Sequence, residues 1–550
     1  MKLTAFLFSA LSFFALILLP SCAQVVAPSG GKIDDTPPHV RHYKPDSAAV
    51  NFTAKHIEIE FDEFIVLKDQ ASQILISPLM DKQPDIHVNG KSIVIDLKAP
   101  LKDSTTYTIN FGNAIQDNHE GKALANFRYV FSTGTYVDSL VLAGNVINAL
   151  TRQPEKGVLV MLYPALADST PFLQTPAYFG RTDANGNYHI ENVKPNTYKV
   201  FALLDANANY KFNNSELLGY REDPINFHRN DTINLIAFKQ NPEVQRLKKA
   251  YQEGYRKIKI AFAMPAEDML LEPLNMAIPP EQAVIEKNPA GDTLSFWFKI
   301  ADSDSLILRI RDRNKIYDTL RYKLFTRAKL ISLNKGKKPS LQVITNLLPG
   351  KLFDLDAPIL FEFANPVNDL VSSADKIQLR EDTLKSNIFE KGKLSWKDKN
   401  RSLRFRTWSD SLHPLKESRR YHLLLLPGAF TDLQGFTNDT LKIDFRTQEA
   451  RYYGTLKLHL HLSPGNYVLQ LLDEAGNIVR SRLLKQGDDL DFNYLPPAKY
   501  QVRLIYDTNG NGRWDTGNYL KHLQPERVVY DAQSIVIRSN WDQEVDWYLK

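Results

Sequence analysis

One internal repeat limits what this 550-residue chain can fold into. Residues 193–216, VKPNTYKVFALLDANANYKFNNSE, align with residues 495–518, LPPAKYQVRLIYDTNGNGRWDTGN. Pro195, Tyr198, Val200, Asp205, Asn207 and Asn209 match Pro497, Tyr500, Val502, Asp507, Asn509 and Asn511, each pair 302 residues apart. A different unit precedes each copy. Leu101, Lys102, Tyr107 and Phe131-Ser132-Thr133 align with Leu415, Lys416, Tyr421 and Phe445-Arg446-Thr447 at a spacing of 314. Between them NAIQD (113–117) resembles GAFTD (428–432), and near the start IEIEF (57–61) matches ILFEF (359–363). Two unlike units occurring twice in the same order imply a layout A–B–X–A′–B′, with X at about 241–345.

Each unit reads as strands. KHIEIEF (55–61), SIVIDL (92–97), YTINF (107–111) and FRYVF (127–131) alternate apolar and polar residues, with Gly, Pro, Asn or Asp between them. The crossover helices that a parallel sheet needs are missing, so the fold class is all-β, built from tandem antiparallel β-sandwiches. One short connecting helix is expected at Pro242–Gly254, where Val244, Leu247 and Tyr251 fall near one face among Lys and Glu.

The N-terminus sets the compartment. After Met1-Lys2, residues 3–20 carry no charge, and the run breaks at Pro20-Ser21-Cys22. This is the form of a signal peptide; a retained transmembrane anchor is the rival reading, since about 18 apolar residues just span a bilayer. Leu19-Pro20-Ser21-Cys22 resembles a bacterial lipobox, which implies that Cys22 is acylated and held by membrane lipid. Two or three acyl chains, at about 0.8 kcal/mol per buried CH₂, anchor stably where one does not. Ala23, rather than Asp, follows the cysteine and points to the outer membrane, with periplasmic and cell-surface sides both open. Residues 22–37, rich in Pro, Gly and Ala, read as a tether. Cys22 is the only cysteine, so an internal disulfide, a cysteine zinc site and an iron–sulfur cluster are excluded by counting. The net charge of +5 comes from interspersed signs, so nucleic acid is not an expected partner.

Unit A, with Asp35-Thr36-Pro37-Pro38, FDEFIVL, FGNAIQD and FSTG, resembles the bacterial Ig-like domains of S-layer proteins. Unit B, with Gly157-Val158-Leu159-Val160 and RTDANGNYHIENVKPNTYKVFAL (181–203), resembles carboxypeptidase-regulatory, transthyretin-like sandwiches. The chain as a whole resembles the Ig-like-domain lipoproteins of Bacteroidota. The resemblance implies a signal peptide at 1–21, the tether at 22–37, Ig-like domains at 38–136 and 346–448, and regulatory-like sandwiches at 137–240 and 449–550. Residues 241–345 are left as a helix plus β domain of unknown type.

Catalytic signatures are missing: there is no G-x-S-x-G, H-E-x-x-H, G-x-x-x-x-G-K-[ST] or G-x-G-x-x-G. His459 and His461 share a strand face as two metal ligands would, although the solvated side of an edge strand is the plainer setting. Asp302 with Asp304, or Asp488 with Asp489, has the composition of a glycosidase pair but lies in turn-like sequence. All six tryptophans (Trp297, Trp396, Trp408, Trp514, Trp541 and Trp547) lie in the second half. Exposed Trp faces stack on sugars, so a glycan is a second candidate partner; Trp297, Trp541 and Trp547 read as strand core. The two repeated loops supply oxygens at calcium-loop spacing. They are Asp205, Asn207, Asn209, Lys211, Asn213 and Glu216, then Asp507, Asn509, Asn511, Arg513, Asp515 and Asn518. Calcium is the one cofactor these loops suggest; plain hairpin turns would use the same residues. The functional expectation is a non-enzymatic, outer-membrane-anchored scaffold for envelope or outer-membrane proteins, an accessory subunit of such an assembly. A glycan-binding lipoprotein, and a hydrolase with an unrecognised site, are the alternatives.

Overall fold

A computed structural model describes residues 35–549, except 214, 243, 267, 289, 301–302, 314, 334, 336–338, 368–373, 383–386, 390–393, 399–400 and 406–414. Cys22, the signal segment, most of the tether, Asp302 and Trp408 lie outside the described residues. The rest is all-β, in tandem sandwiches whose cores each draw on one stretch of chain.

Alternation makes the strands and decides their inward faces. In His56–Phe61 the residues Ile57, Ile59 and Phe61 are fully buried while Glu58 and Glu60 point away. The first unit has a four-stranded sheet, Val40–Lys44, His56–Phe61, Ser92–Asp96 and Asp85–Asn89, in that spatial order. It packs against a three-stranded sheet, Leu75–Ser77, Thr106–Asn110 and Arg128–Ser132. Residues 343–447 repeat the arrangement: Val343–Thr345, Ile359–Phe363, Ser402–Phe405 and Leu394–Asp398 form one sheet. The other holds Ile377–Glu381, Arg420–Leu425 and Leu441–Thr447, with Leu352–Phe353 added at its edge.

The middle segment has this same strand order. Leu247–Gly254, Lys257–Phe262, Thr293–Phe298 and Ala283–Lys287 form one sheet, and Leu270–Pro273, Ser305–Arg311 and Ile316–Lys323 the other. Ile258, Ile260, Phe296, Leu306 and Leu308 fill its core. The helix expected at Pro242–Gly254 is therefore replaced: Leu247–Gly254 is an edge strand paired with Lys257–Phe262 through a turn in which Arg256 has φ 52°. A strongly alternating neighbour supplies the ladder, which outweighs a weak helical period, and outward lysines guard the edge. The connecting helix is instead Arg327–Leu333, ahead of the next sandwich.

Units B and B′ also share a topology. Strand Leu140–Asn148 lies between Asn187–Val193, antiparallel, and Leu235–Lys239, parallel. Gly454–His461 lies likewise between Asp489–Leu495 and Asp542–Tyr548. The sandwiches are thus antiparallel apart from a few parallel pairings, of which these are the longest. Tyr198 and Tyr500 tie each copy by donating to the carbonyls of Lys194 and Pro496, both at 2.8 Å.

The two B-type units pack against each other. Tyr519, 1% exposed, enters the outer face of the 137–240 sheet, with ring centroids 5.0 Å from Tyr220 and 5.1 Å from Phe201. Its backbone N–H donates to Gln240 Oε1 at 3.0 Å, and Thr516 Oγ1 donates to the Lys239 carbonyl at 2.8 Å. His522 reaches Glu222 Oε1 at 2.6 Å and Asp168 Oδ2 at 3.0 Å. Gly517 is needed at this approach, because an added Cβ would sit 2.6 Å from Phe238 Cζ.

Two outcomes are expected. Ile260→Ala, in the fully buried core of the middle sandwich, should lower unfolding free energy by about 2–5 kcal/mol in denaturant titration. Tyr519→Ala should cost about 3–5 kcal/mol and enlarge the particle in small-angle scattering, whereas an unchanged radius of gyration would show that the two B-type units stay docked without it.

Candidate functional site

The repeated loops sit where strands Asn196–Leu203 and Ala498–Tyr506 end. In the first, Asp205 Oδ1 accepts from the N–H groups of Asn207 and Asn209, both at 3.3 Å, and Oδ2 from Tyr210 at 2.7 Å. In the second, Asp507 Oδ1 accepts from Asn511 N–H at 3.0 Å and Oδ2 from Gly512 at 2.7 Å. Both loops visit the left-handed region twice, at Ala208 (φ 56°) and Tyr210 (φ 58°), then at Gly510 (φ 71°) and Gly512 (φ 77°). Tyr210 thus takes the sharp turn that glycine takes in the other copy, held by packing on Phe179 with centroids 5.2 Å apart.

A glutamate closes each loop. Glu216 accepts from Ala206 N–H at 3.0 Å through Oε1 and from Asn213 N–H at 2.9 Å through Oε2. Glu526 does the same for Thr508 at 2.7 Å and Asp515 at 2.9 Å. The position expected for Asn518 therefore belongs to Glu526. Asn518 lies outside the ring: its Oδ1 accepts from Lys521 N–H at 3.0 Å. The sequence distance from the closed N–H to its glutamate is 10 residues in the first loop and 18 in the second. The extra eight residues are the segment carrying Tyr519 and His522. The aligned repeat ends at 518, short of this glutamate, and the spacing of Asp507 and Glu526 alone gives no signal.

The second loop gathers its side chains. Asn509 Nδ2 and Asn511 Nδ2 both donate to Asp515 Oδ2 at 2.5 Å, and Arg513 Nε stands 3.6 Å from Asp515 Oδ1. Asp507, Asn509, Asn511, Asp515 and the Arg513 carbonyl make an oxygen-only donor set of the kind hard divalent cations take. The two amides present oxygen in place of nitrogen after a half-turn about their last torsion, which releases the Asn511 and Arg513 N–H groups that their oxygens hold at 3.0 Å. In the first loop Asn213 stands where Asp515 does, and its Nδ2 turns to the Lys211 carbonyl at 3.4 Å; Asn209 Oδ1 accepts from Lys211 N–H at 2.8 Å, as Asn511 Oδ1 does from Arg513 N–H at 3.0 Å.

The other candidates are placed as follows. His459 and His461 face solvent, but their strand is central in its sheet, not an edge. His459 is held between Asp489 Oδ1 at 2.7 Å and Glu544 Oε1 at 2.8 Å, and these two carboxylates raise its pKa. His461 stacks on Tyr548 at 4.0 Å. Asp489 is thereby committed to a histidine, and Asp488 caps the Asp489 N–H at 2.9 Å. Asp304 is exposed. Trp297 and Trp547 are buried as expected, but Trp541 is 59% exposed, contrary to a core role, because it sits in the turn before the last strand. Trp514 is half-buried and donates to the Glu526 carbonyl at 3.1 Å.

Comparison with known proteins follows the architecture. Residues 34–133 match the family model of the bacterial Ig-like domain. No curated protein sequence matches the chain. Among solved structures, the S-layer protein rSbsC aligns over 90% of this chain and 67% of its own, at 12% identity and a TM-score of 0.14. BcpA, the major pilin subunit of Bacillus cereus, aligns over 75% of this chain and 98% of its own, at 9% identity and a TM-score of 0.14. An L,D-transpeptidase from Mycobacterium smegmatis covers 30% of this chain and 76% of its own, at 12% identity and a TM-score of 0.13. What these findings state of this chain is an all-β protein whose first sandwich is similar to bacterial Ig-like domains.

Proposed function

We propose that the chain is a non-enzymatic scaffold of the cell envelope, anchored to the outer membrane through acylated Cys22 and engaging envelope or outer-membrane proteins as an accessory subunit. The observation that carries this reading is the docking of Tyr519 into the 137–240 sheet. It joins distant sandwiches into one body, and a rigid body with several faces suits holding partners in fixed relation. The polar groups of the repeated loops serve the same end, since their carboxylates close turns rather than converge on a reactive side chain. The segment after Cys22 is long enough to let that body stand off the headgroups.

Calcium at the second loop belongs to this reading as a stiffener. Asp507, Asn509, Asn511, the Arg513 carbonyl and Asp515 would hold it, with Glu526 fixing the loop ends. With two carboxylates at the ring, affinity in the range of about 10⁻⁴–10⁻³ M is expected.

Three measurements check the proposal. Cys22→Ser should move the protein from the membrane to the soluble fraction with its melting curve unchanged. Retention in membranes with an uncleaved N-terminus would support a signal anchor instead. Pull-down through a C-terminal tag from detergent extract should recover an envelope protein in stoichiometric amount; recovery of the chain alone would sink the scaffold reading. At 10 mM calcium against chelator, mass action adds about 1.4–2.7 kcal/mol of stability for such affinities. The melting midpoint should rise accordingly and stay put in Asp507→Asn/Asp515→Asn.

A further inference from the structure

The first two sandwiches meet along a stapled junction. Thr106 Oγ1 and Asp138 exchange hydrogen bonds, both at 2.9 Å, and Asn192 Nδ2 donates to the Asp138 carbonyl at 2.8 Å. Arg128 pairs with Glu191 across the gap. Beside these contacts lies a cleft of about 860 Å³, formed by the 75–77 and 106–110 strands on one wall and the 178–191 segment on the other. Its size is that of a small-ligand site, and domain junctions are where such sites commonly form.

Two polar atoms in its walls have no hydrogen-bond partner. Ser77 is 8% exposed and its Oγ is unpaired. Arg181 is partly buried, and its Nε is buried without an acceptor. The carboxylates that share the cleft are committed elsewhere: Asp183 Oδ1 accepts from the N–H groups of Asn185 and Asn187, both at 2.8 Å, and Glu191 is held by Arg128. A buried guanidinium N–H without an acceptor is costly, and buried orphan polar atoms call for a partner. A guanidinium fork matches a carboxylate through two parallel hydrogen bonds.

The rest of the wall selects the ligand's body. Asn110, Asn113 and Asn126 bring amides, which both donate and accept, to its surface. Of the large apolar residues there, Phe179 and Ile190 are 4% and 2% exposed, and half-buried Leu75 is left to offer apolar surface. Hydroxyl-rich ligands satisfy such walls more fully than the apolar side chains of a peptide, which would find only Leu75. We infer that this cleft binds an acidic oligosaccharide, a uronate carboxylate meeting Arg181 and sugar hydroxyls meeting Ser77 and the asparagines. This goes beyond the scaffold reading and does not depend on it.

Calorimetric titration of the full chain tests it, with trigalacturonate as probe. Maltotriose serves as the neutral trisaccharide, and acetyl-Ala-Ala-Ala with a free carboxylate as the peptide arm. Trigalacturonate should bind saturably, and at least about tenfold more weakly to Arg181→Met, in keeping with the loss of a bidentate charge-assisted pair. Arg181→Lys keeps charge but not the fork and should also weaken it. Maltotriose and the peptide should bind at least about tenfold more weakly than trigalacturonate to the unaltered chain. If Arg181→Met does not fold, Asn113→Trp, an exposed position on the opposite wall, should block binding. Absence of trigalacturonate binding, equal binding by Arg181→Met, or preference for maltotriose or the peptide would each overturn the inference.

Discussion

The burial of Tyr519 in the 137–240 sheet sets the arrangement of the molecule. An antiparallel sandwich normally hides one face of each sheet and leaves the other to solvent. Here the outer face of the 137–240 sheet is apolar, carrying Leu159, Met161, Phe201, Leu203 and Leu218, all buried. It needs a cover. Phe172 and Phe212 from its own connections supply part, Leu75, Leu79 and Trp514 pack against it, and Tyr519, some 300 residues away in sequence, adds a fully buried ring. Lys199 Nζ lies 5.3 Å above the Tyr519 ring and pairs with Asp168, which in turn meets His522, so the apolar plug has a charged rim. Closing so long a loop costs chain entropy that grows only slowly with length, so one well-packed aromatic and its hydrogen bonds are of the right size to hold it.

How an eight-residue insertion came to carry that plug follows from the loop it interrupts. In the first copy Glu216 closes the loop directly after Asn213. In the second, Asp515 and Glu526 keep the same closure while the chain between them leaves and returns. Asn518 and Leu523 bond to each other's backbone at 2.8 and 2.9 Å, which makes the excursion a narrow hairpin. The glutamate carboxylate thus fixes both ends of the segment, and the entropy of ordering it falls on few residues.

The fold class and the two duplications were legible because burial on one face imposes period two, and because Tyr107 and Tyr421 recur at the same place for the same reason. Each phenol oxygen accepts a backbone N–H five residues earlier, from Lys102 at 2.9 Å and Lys416 at 2.6 Å. Thr133 and Thr447 repeat the same bond to the Lys102 and Lys416 carbonyls, at 2.7 and 2.6 Å. The middle sandwich has no such tyrosine on Ser305–Arg311, and its core is aliphatic and phenylalanine-rich, so nothing in its letters announces the strand order it shares. Strand order is a property of pairing partners, which local pattern does not encode. The same reason hid the strand at Leu247–Gly254, whose ladder comes from its neighbour. At the candidate loops, Asp507, Asn509, Asn511 and Asp515 were legible from spacing, while Glu526 was not, because an insertion separates it from the motif it completes.

The two junctions between A-type and B-type units show where duplication ended and divergence began. The first uses Thr106, Asp138 and Asn192, with the Arg128–Glu191 pair, and leaves a cleft beside them. The second uses Tyr453, whose phenol accepts from Leu355 N–H at 3.1 Å and pairs with Asp354, and Arg480, which reaches Asp356 Oδ2 at 2.8 Å. Asp356 is partly desolvated there, which raises its pKa against the pull of Arg480. The sandwiches themselves tolerate little change, since their cores are close-packed. Their junctions are hydrogen-bonded surface, where a few polar substitutions reset the contact without touching a core. Specialisation of one junction as a cleft, and of one loop as a plug, is therefore the change that a duplicated pair of sandwiches accepts at least cost in stability.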